Sequence, residues 1–140
     1  MQDLPSPSQL WIMLPIGYVL TVAIETPVLV LGLSKRHAMR DRVLAGLWLN
    51  ACSYPMVILV FPYWFWAPYG REVYLVVSEV FAPLAECLLF WLAFCPRRQK
   101  ARWSFIQDMA AIIGANLASF LLGEWIFTHI EWLRAIIDII

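Results

Sequence analysis

Charge is scarce in this chain. Asp, Glu, Lys and Arg make up 14% of its 140 residues and hydrophobic residues 62%, whereas soluble domains run near one-quarter charged and half apolar. That shortage excludes an ordinary soluble domain and leaves an integral membrane protein. Ten basic and ten acidic residues cancel, and without a polybasic tail nucleic acid is not an expected partner. Cysteine is sparse too. Cys52, Cys87 and Cys95 stand alone, without the paired spacing of a disulfide framework or a zinc site, and read as packing residues. No metal or other cofactor is expected. The chain also lacks a Ser/His/Asp grouping, an HExxH motif and a phosphate-binding glycine loop, which weighs against an enzyme. The opening stretch "MQDLPSPSQL" has no basic region, carries Asp3 and leads to no small-residue cleavage site, so the first apolar run is expected to be a mature span.

Long apolar runs are what the sequence has instead. They occupy residues 10–33, 43–66, 72–95 and 105–127, each long enough to cross about 30 Å of hydrocarbon as a helix. Helix is expected because an open strand edge in lipid leaves backbone groups unpaired. The short connections make successive helices antiparallel neighbours in a four-helix transmembrane bundle. Lys35, Arg36, Arg40 and Arg42 fill the first connection, and Arg97, Arg98, Lys100 and Arg102 the third. As topology determinants they place both loops in the cytoplasm and both termini outside, in a bacterial-type inner (plasma) membrane. The aromatic stretch "FPYWFWAPY" at 61–69, with Trp11, Tyr74 and Trp125 at matching depth, reads as an outer belt. Lipid, quinone or pigment contact would fall on that rim.

Two short matches suggest how the bundle is built. "NACSY" at 50–54 and "NLASF" at 116–120 each place an Asn three residues before a Ser inside an apolar run. Sliding the first hairpin about sixty residues along also aligns "GYVLTVAIE" (17–25) with "SEVFAPLAE" (78–86), bringing Glu25 onto Glu86. The pattern predicts two tandem hairpin repeats, parallel in the membrane and related by an axis along its normal. Counting from the basic loops, Glu25, Asn50, Glu86 and Asn116 lie about 12–18 Å deep, near the bilayer centre.

A carboxylate at that depth costs about 2.5 kcal/mol or more. A polar layer of Glu25, Asn50, Ser53, Glu86, Asn116 and Ser119 facing the bundle interior is therefore expected, since an Asn supplies both donor and acceptor. Each Asn serves either the Glu of its own hairpin or that of the other. Small-residue ridges, Gly17/Thr21, Ser78/Ala82 and Ala111/Ala115/Ser119/Gly123, would let helices approach closely. Glu79 lies one heptad before Glu86 on the same face, and Tyr18, its counterpart in the first hairpin, is placed to donate to it. Glu79, Glu86, Glu25 and Tyr18 thus mark a candidate proton or ion path. Pro15, Pro27, Pro55, Pro62 and Pro83 fall within spans and are expected to kink them. Residues 124–140 continue as a C-terminal amphipathic extension, with Glu124, Thr128, Glu131 and Asp138 near one stripe.

Three functions fit these features. The first is a non-catalytic accessory or assembly subunit of a larger membrane complex, bound to membrane lipid and to other membrane subunits or further copies of itself, in which the polar layer sets helix register. The second is a proton or cation channel or transporter using the intramembrane glutamates. The third is a membrane enzyme acting on a lipid-soluble substrate.

Overall fold

The computed structural model describes residues 4–94 and 102–129, all of them in helices or the short turns between. Four helices carry the fold: α1 (Pro7–Gly32), α2 (Met39–Tyr69), α3 (Arg71–Phe94) and α4 (Arg102–His129). All four are long and apolar enough to cross a membrane, α4 through its stretch Trp103–Ile126. There is no strand among the described residues. Expected and observed helices agree to within a few residues. The second basic loop, with Arg97, Arg98 and Lys100, and the extension beyond His129 lie outside the described residues.

Local chemistry sets the helix ends. Ser6 caps α1 in a reciprocal box: the Gln9 amide donates to Ser6 Oγ at 3.3 Å and the Ser6 amide to Gln9 Oε1 at 2.8 Å. Pro7 then takes the first helical position, where its missing N–H costs nothing. At the other end of α1, Arg42 donates to the carbonyls of Val30, Ser34 and His37 at 2.9, 3.2 and 3.1 Å. Gln107 of α4 takes the carbonyl of Gly32 at 2.9 Å. Gly70 separates α2 from α3 with φ of 89°, a left-handed conformation that a side chain disfavours.

Prolines act selectively. The helix stays α-helical through Pro15, Pro27 and Pro83. In α2, Pro55 immediately precedes a π-helical stretch, Met56–Val60, and Pro62 opens a second, Pro62–Trp66. Each proline removes a donor and crowds the preceding turn, and the next bonds reach one residue further back, Phe61 to Met56 and Ala67 to Pro62.

The helices form a square in chain order, with α1 and α3 on one diagonal and α2 and α4 on the other. The packing around it is uneven, and glycine explains why. On Gly46 of α2 a Cβ would lie 3.0 Å from the Thr26 backbone, and on Gly32 it would lie 2.9 Å from Ala111 Cβ. These bare surfaces let α1 press closely on both neighbours. Helix α3 contains no glycine; it packs along the π-helical half of α2, with Phe61 against Phe81 and Trp66 against Tyr74, and stands further off from α4. At the end of the bundle bearing the loop 33–38, the gap is filled by a buried apolar cluster: Leu29, Leu33, Ala45, Leu49, Phe90, Ile112 and Ala115. Outward residues such as Leu31, Val76 and Leu84 are broadly exposed.

Candidate functional site: a carboxylate layer beneath a cavity

One helical turn above that cluster, toward the termini, the bundle interior becomes polar. Glu25 stands a turn from Leu29, Glu86 a turn from Phe90 and Asn116 a turn from Ile112. Glu25, Glu86 and Asn50 are each about 1% exposed. Asn50 Nδ2 donates to Glu25 Oε2 at 2.8 Å, and Asn116 Nδ2 to Glu86 Oε2 at 2.7 Å. Each amide is held by a second bond to the carbonyl four residues back, Gly46 at 3.0 Å and Ile112 at 3.1 Å. The serines cross over. Ser53 of the first hairpin donates to Glu86 Oε1 at 2.7 Å, and Ser119 of the second to Glu25 Oε1 at 2.5 Å.

All four carboxylate oxygens thus accept a hydrogen bond from a neutral donor. Each Glu draws its Asn from its own hairpin and its Ser from the other. The ion pairs among the described residues are Arg36–Asp108, His37–Asp108 and Arg71–Glu124, and none reaches Glu25, Glu79 or Glu86. Two carboxylates therefore share a buried layer with no cationic side chain among the described residues to balance them, a situation that calls for a proton or another cation.

One bond distinguishes the two sites. Ser119 Oγ also lies 2.9 Å from the Asn116 carbonyl, so its single proton has two acceptors. With Glu25 ionised, Ser119 donates to the carboxylate. With Glu25 protonated, the carboxyl donates to Ser119 Oγ and the serine turns its own proton to Asn116. Ser53 has no comparable second acceptor.

Above the layer the interior opens into a cavity of ≈ 400 Å³. Its floor is the layer itself, and Glu79, Ser78 and Ala82 line its α3 side. Tyr54, Trp66 and Tyr74 supply aromatic wall, the last two stacked with centroids 5.4 Å apart. At the mouth Arg71 pairs with Glu124 at 3.0 Å, both partly exposed. The cavity lies where α3 stands off from α4 and where Gly123 presents bare backbone to open space: a Cβ there would touch nothing within 4 Å.

Several expectations need correction. Tyr18 does not meet Glu79: its hydroxyl donates to the Leu47 carbonyl at 3.0 Å and its ring packs edge-on against Tyr54. The α1 helix is rotated so that Gly17, not Tyr18, faces the interior, where the Tyr54 hydroxyl occupies the place of a Cβ. Tyr74 is buried against Trp66 rather than exposed on the rim with Trp11 and Trp125. Gly123 borders the cavity instead of a close helix contact. Glu124, placed on the tail's acidic stripe, turns to the mouth and Arg71.

A second buried cluster went unrecognised. Asp108 of α4 is fully buried at the loop end, where it accepts from the Ser34 amide at 2.7 Å and from Arg36, with His37 Nε2 3.0 Å from the same carboxylate. His37 also packs edge-on against Phe90. An acid inside the fourth apolar run was the available signal. Arg36 and Arg42 accordingly clamp the first connection, while Lys35 and Arg40 are exposed. Comparison with known proteins yields no match: no family model, no curated protein and no solved structure.

Proposed function

We propose that this protein is a small proton or cation transporter or channel of the membrane, in which Glu25 and Glu86 bind the transported cation at the floor of a cavity open toward the termini. The observation that carries this reading is the pairing of a cavity with two buried carboxylates that have neutral donors and no cationic partner among the described residues. The two acceptors of Ser119 support it, because they let Glu25 gain and lose a proton without the helices moving. We read the two hairpins as tandem parallel repeats, with the crossed Ser–Glu bonds joining them about a pseudo-twofold axis. The charge of the connections puts the termini and the cavity mouth outside.

The test is proton flux into liposomes containing the purified protein. Wild type is expected to carry a flux that Glu25→Gln and Glu86→Gln each abolish while remaining folded. Wild-type flux no greater than that of protein-free liposomes would refute the reading. A second reading has its own support: four satisfied carboxylate oxygens also make a clasp that sets helix register within an accessory or assembly subunit. Under that reading neither Gln variant changes flux.

A further inference from the structure

A proton needs far less room than the cavity provides. Its ≈ 400 Å³ falls in the range of small-molecule sites, about 300–1,000 Å³, and its walls are chiefly aromatic and aliphatic. We propose that the cavity binds a small organic cation, a protonated primary amine carrying an apolar or aromatic body. This rests on reading the layer as a cation site and names what that site takes up from the terminal end.

Four features select this chemistry. Charge is first: Glu79 faces the cavity above Glu25 and Glu86, and the cationic side chain at the mouth, Arg71, is already paired with Glu124. An anion would be repelled by the three carboxylates and an amine attracted. Ser78 is second. It is 4% exposed, it lines the cavity, and its hydroxyl neighbours that of Tyr74. A hydroxyl carries one proton and two acceptor lone pairs, so Ser78 can accept an N–H from a ligand while it faces Tyr74. The neighbouring Glu79 carboxylate would take another N–H of the same ammonium. The aromatic wall is third: Tyr54 and Trp66 offer ring surface to the ligand body and cation–π attraction to its head. The small number of unpaired polar groups is fourth, because a sugar-like ligand would require many more.

Equilibrium dialysis of labelled benzylamine against the purified protein in detergent, with protein-free micelles as the blank, tests the assignment. Saturable binding is expected, displaced by excess unlabelled benzylamine but by neither benzyl alcohol nor benzoate, which match it in size and differ in charge. Removing one charge–charge contact should weaken binding about tenfold in Glu79→Gln, and Ser78→Ala should weaken it by a smaller factor, with thermal unfolding confirming that both are folded. Equal displacement by benzyl alcohol, or unchanged affinity in folded Glu79→Gln, overturns the proposal, as does the absence of saturable binding to wild type. The liposome assay separates the two readings. Proton flux under Glu25 and Glu86 control without benzylamine binding sinks the amine assignment alone, whereas loss of both sinks the cation site with it.

Discussion

Ser53 and Ser119 each follow a layer asparagine by three residues, yet their hydroxyls have different options. Glu25→Gln mimics a protonated Glu25: its amide can donate to Ser119 Oγ while Ser119 turns to the Asn116 carbonyl at 2.9 Å. Glu86→Gln places an amide donor toward Ser53 or Asn116, both already donating, and Asn116 is pinned to Ile112. Glu25→Gln is therefore expected to unfold within about 0.5 kcal/mol of wild type and Glu86→Gln to lose about 1–2 kcal/mol, measured by denaturation in detergent. Equal losses would show that the second acceptor of Ser119 has no energetic role. The six layer residues were legible because polar groups recurring at one depth in apolar runs have few other places to go. Which serine serves which glutamate was not, since that depends on how each helix is rotated about its axis. The misplacement of Tyr18 has the same origin, as a turn of about 100° separates adjacent residues.

At the scale of the helix, close approach and standing off are both written in glycine, and they predict opposite outcomes. Gly46→Ala pushes a methyl to 3.0 Å from the Thr26 backbone, which cannot rotate away, and is expected to cost about 1–3 kcal/mol. Gly114→Ala meets open space and should stabilise by about 0.5–1 kcal/mol through helix propensity. Thermal unfolding in micelles checks both, and destabilisation by Gly114→Ala would contradict the packing described. The α1–α2 connection makes a further case. Asp108→Ala removes the acceptor of the buried Ser34 amide and one partner of Arg36 and is expected to cost about 1–3 kcal/mol. Asp108→Asn retains an acceptor oxygen and should cost less. An equal loss in the two variants would mean that the cluster acts through charge alone. Small-residue spacing in the sequence singled out Gly123, which borders the cavity, and passed over Gly46, where α1 and α2 touch closely. A missing side chain permits contact or volume alike, and only the positions of the neighbours decide.

For the molecule as a whole, three storeys account for the design. An apolar cluster and the Asp108 clamp hold the loop end together, the Glu/Asn/Ser layer ties the two hairpins at mid-height, and the sparse contact between α3 and α4 leaves a cavity toward the other end. That order was only half legible. Hydropathy gives four helices long and apolar enough to cross a membrane, whereas the cavity follows from helix separations and side-chain volumes that no local pattern records. The proposed cation path requires this cavity to admit water from one side of the membrane and not from the other. Single cysteines at Ser78 and Ala82, which line it, and at Val80, which faces outward, can be placed in a background lacking Cys52, Cys87 and Cys95 and exposed to a membrane-impermeant cationic thiol reagent in sealed vesicles of known orientation. Modification at 78 and 82 from the side of the termini, with none from the other side and none at 80, is the predicted result. Silence at 78 and 82, or equal labelling at 80, would contradict it.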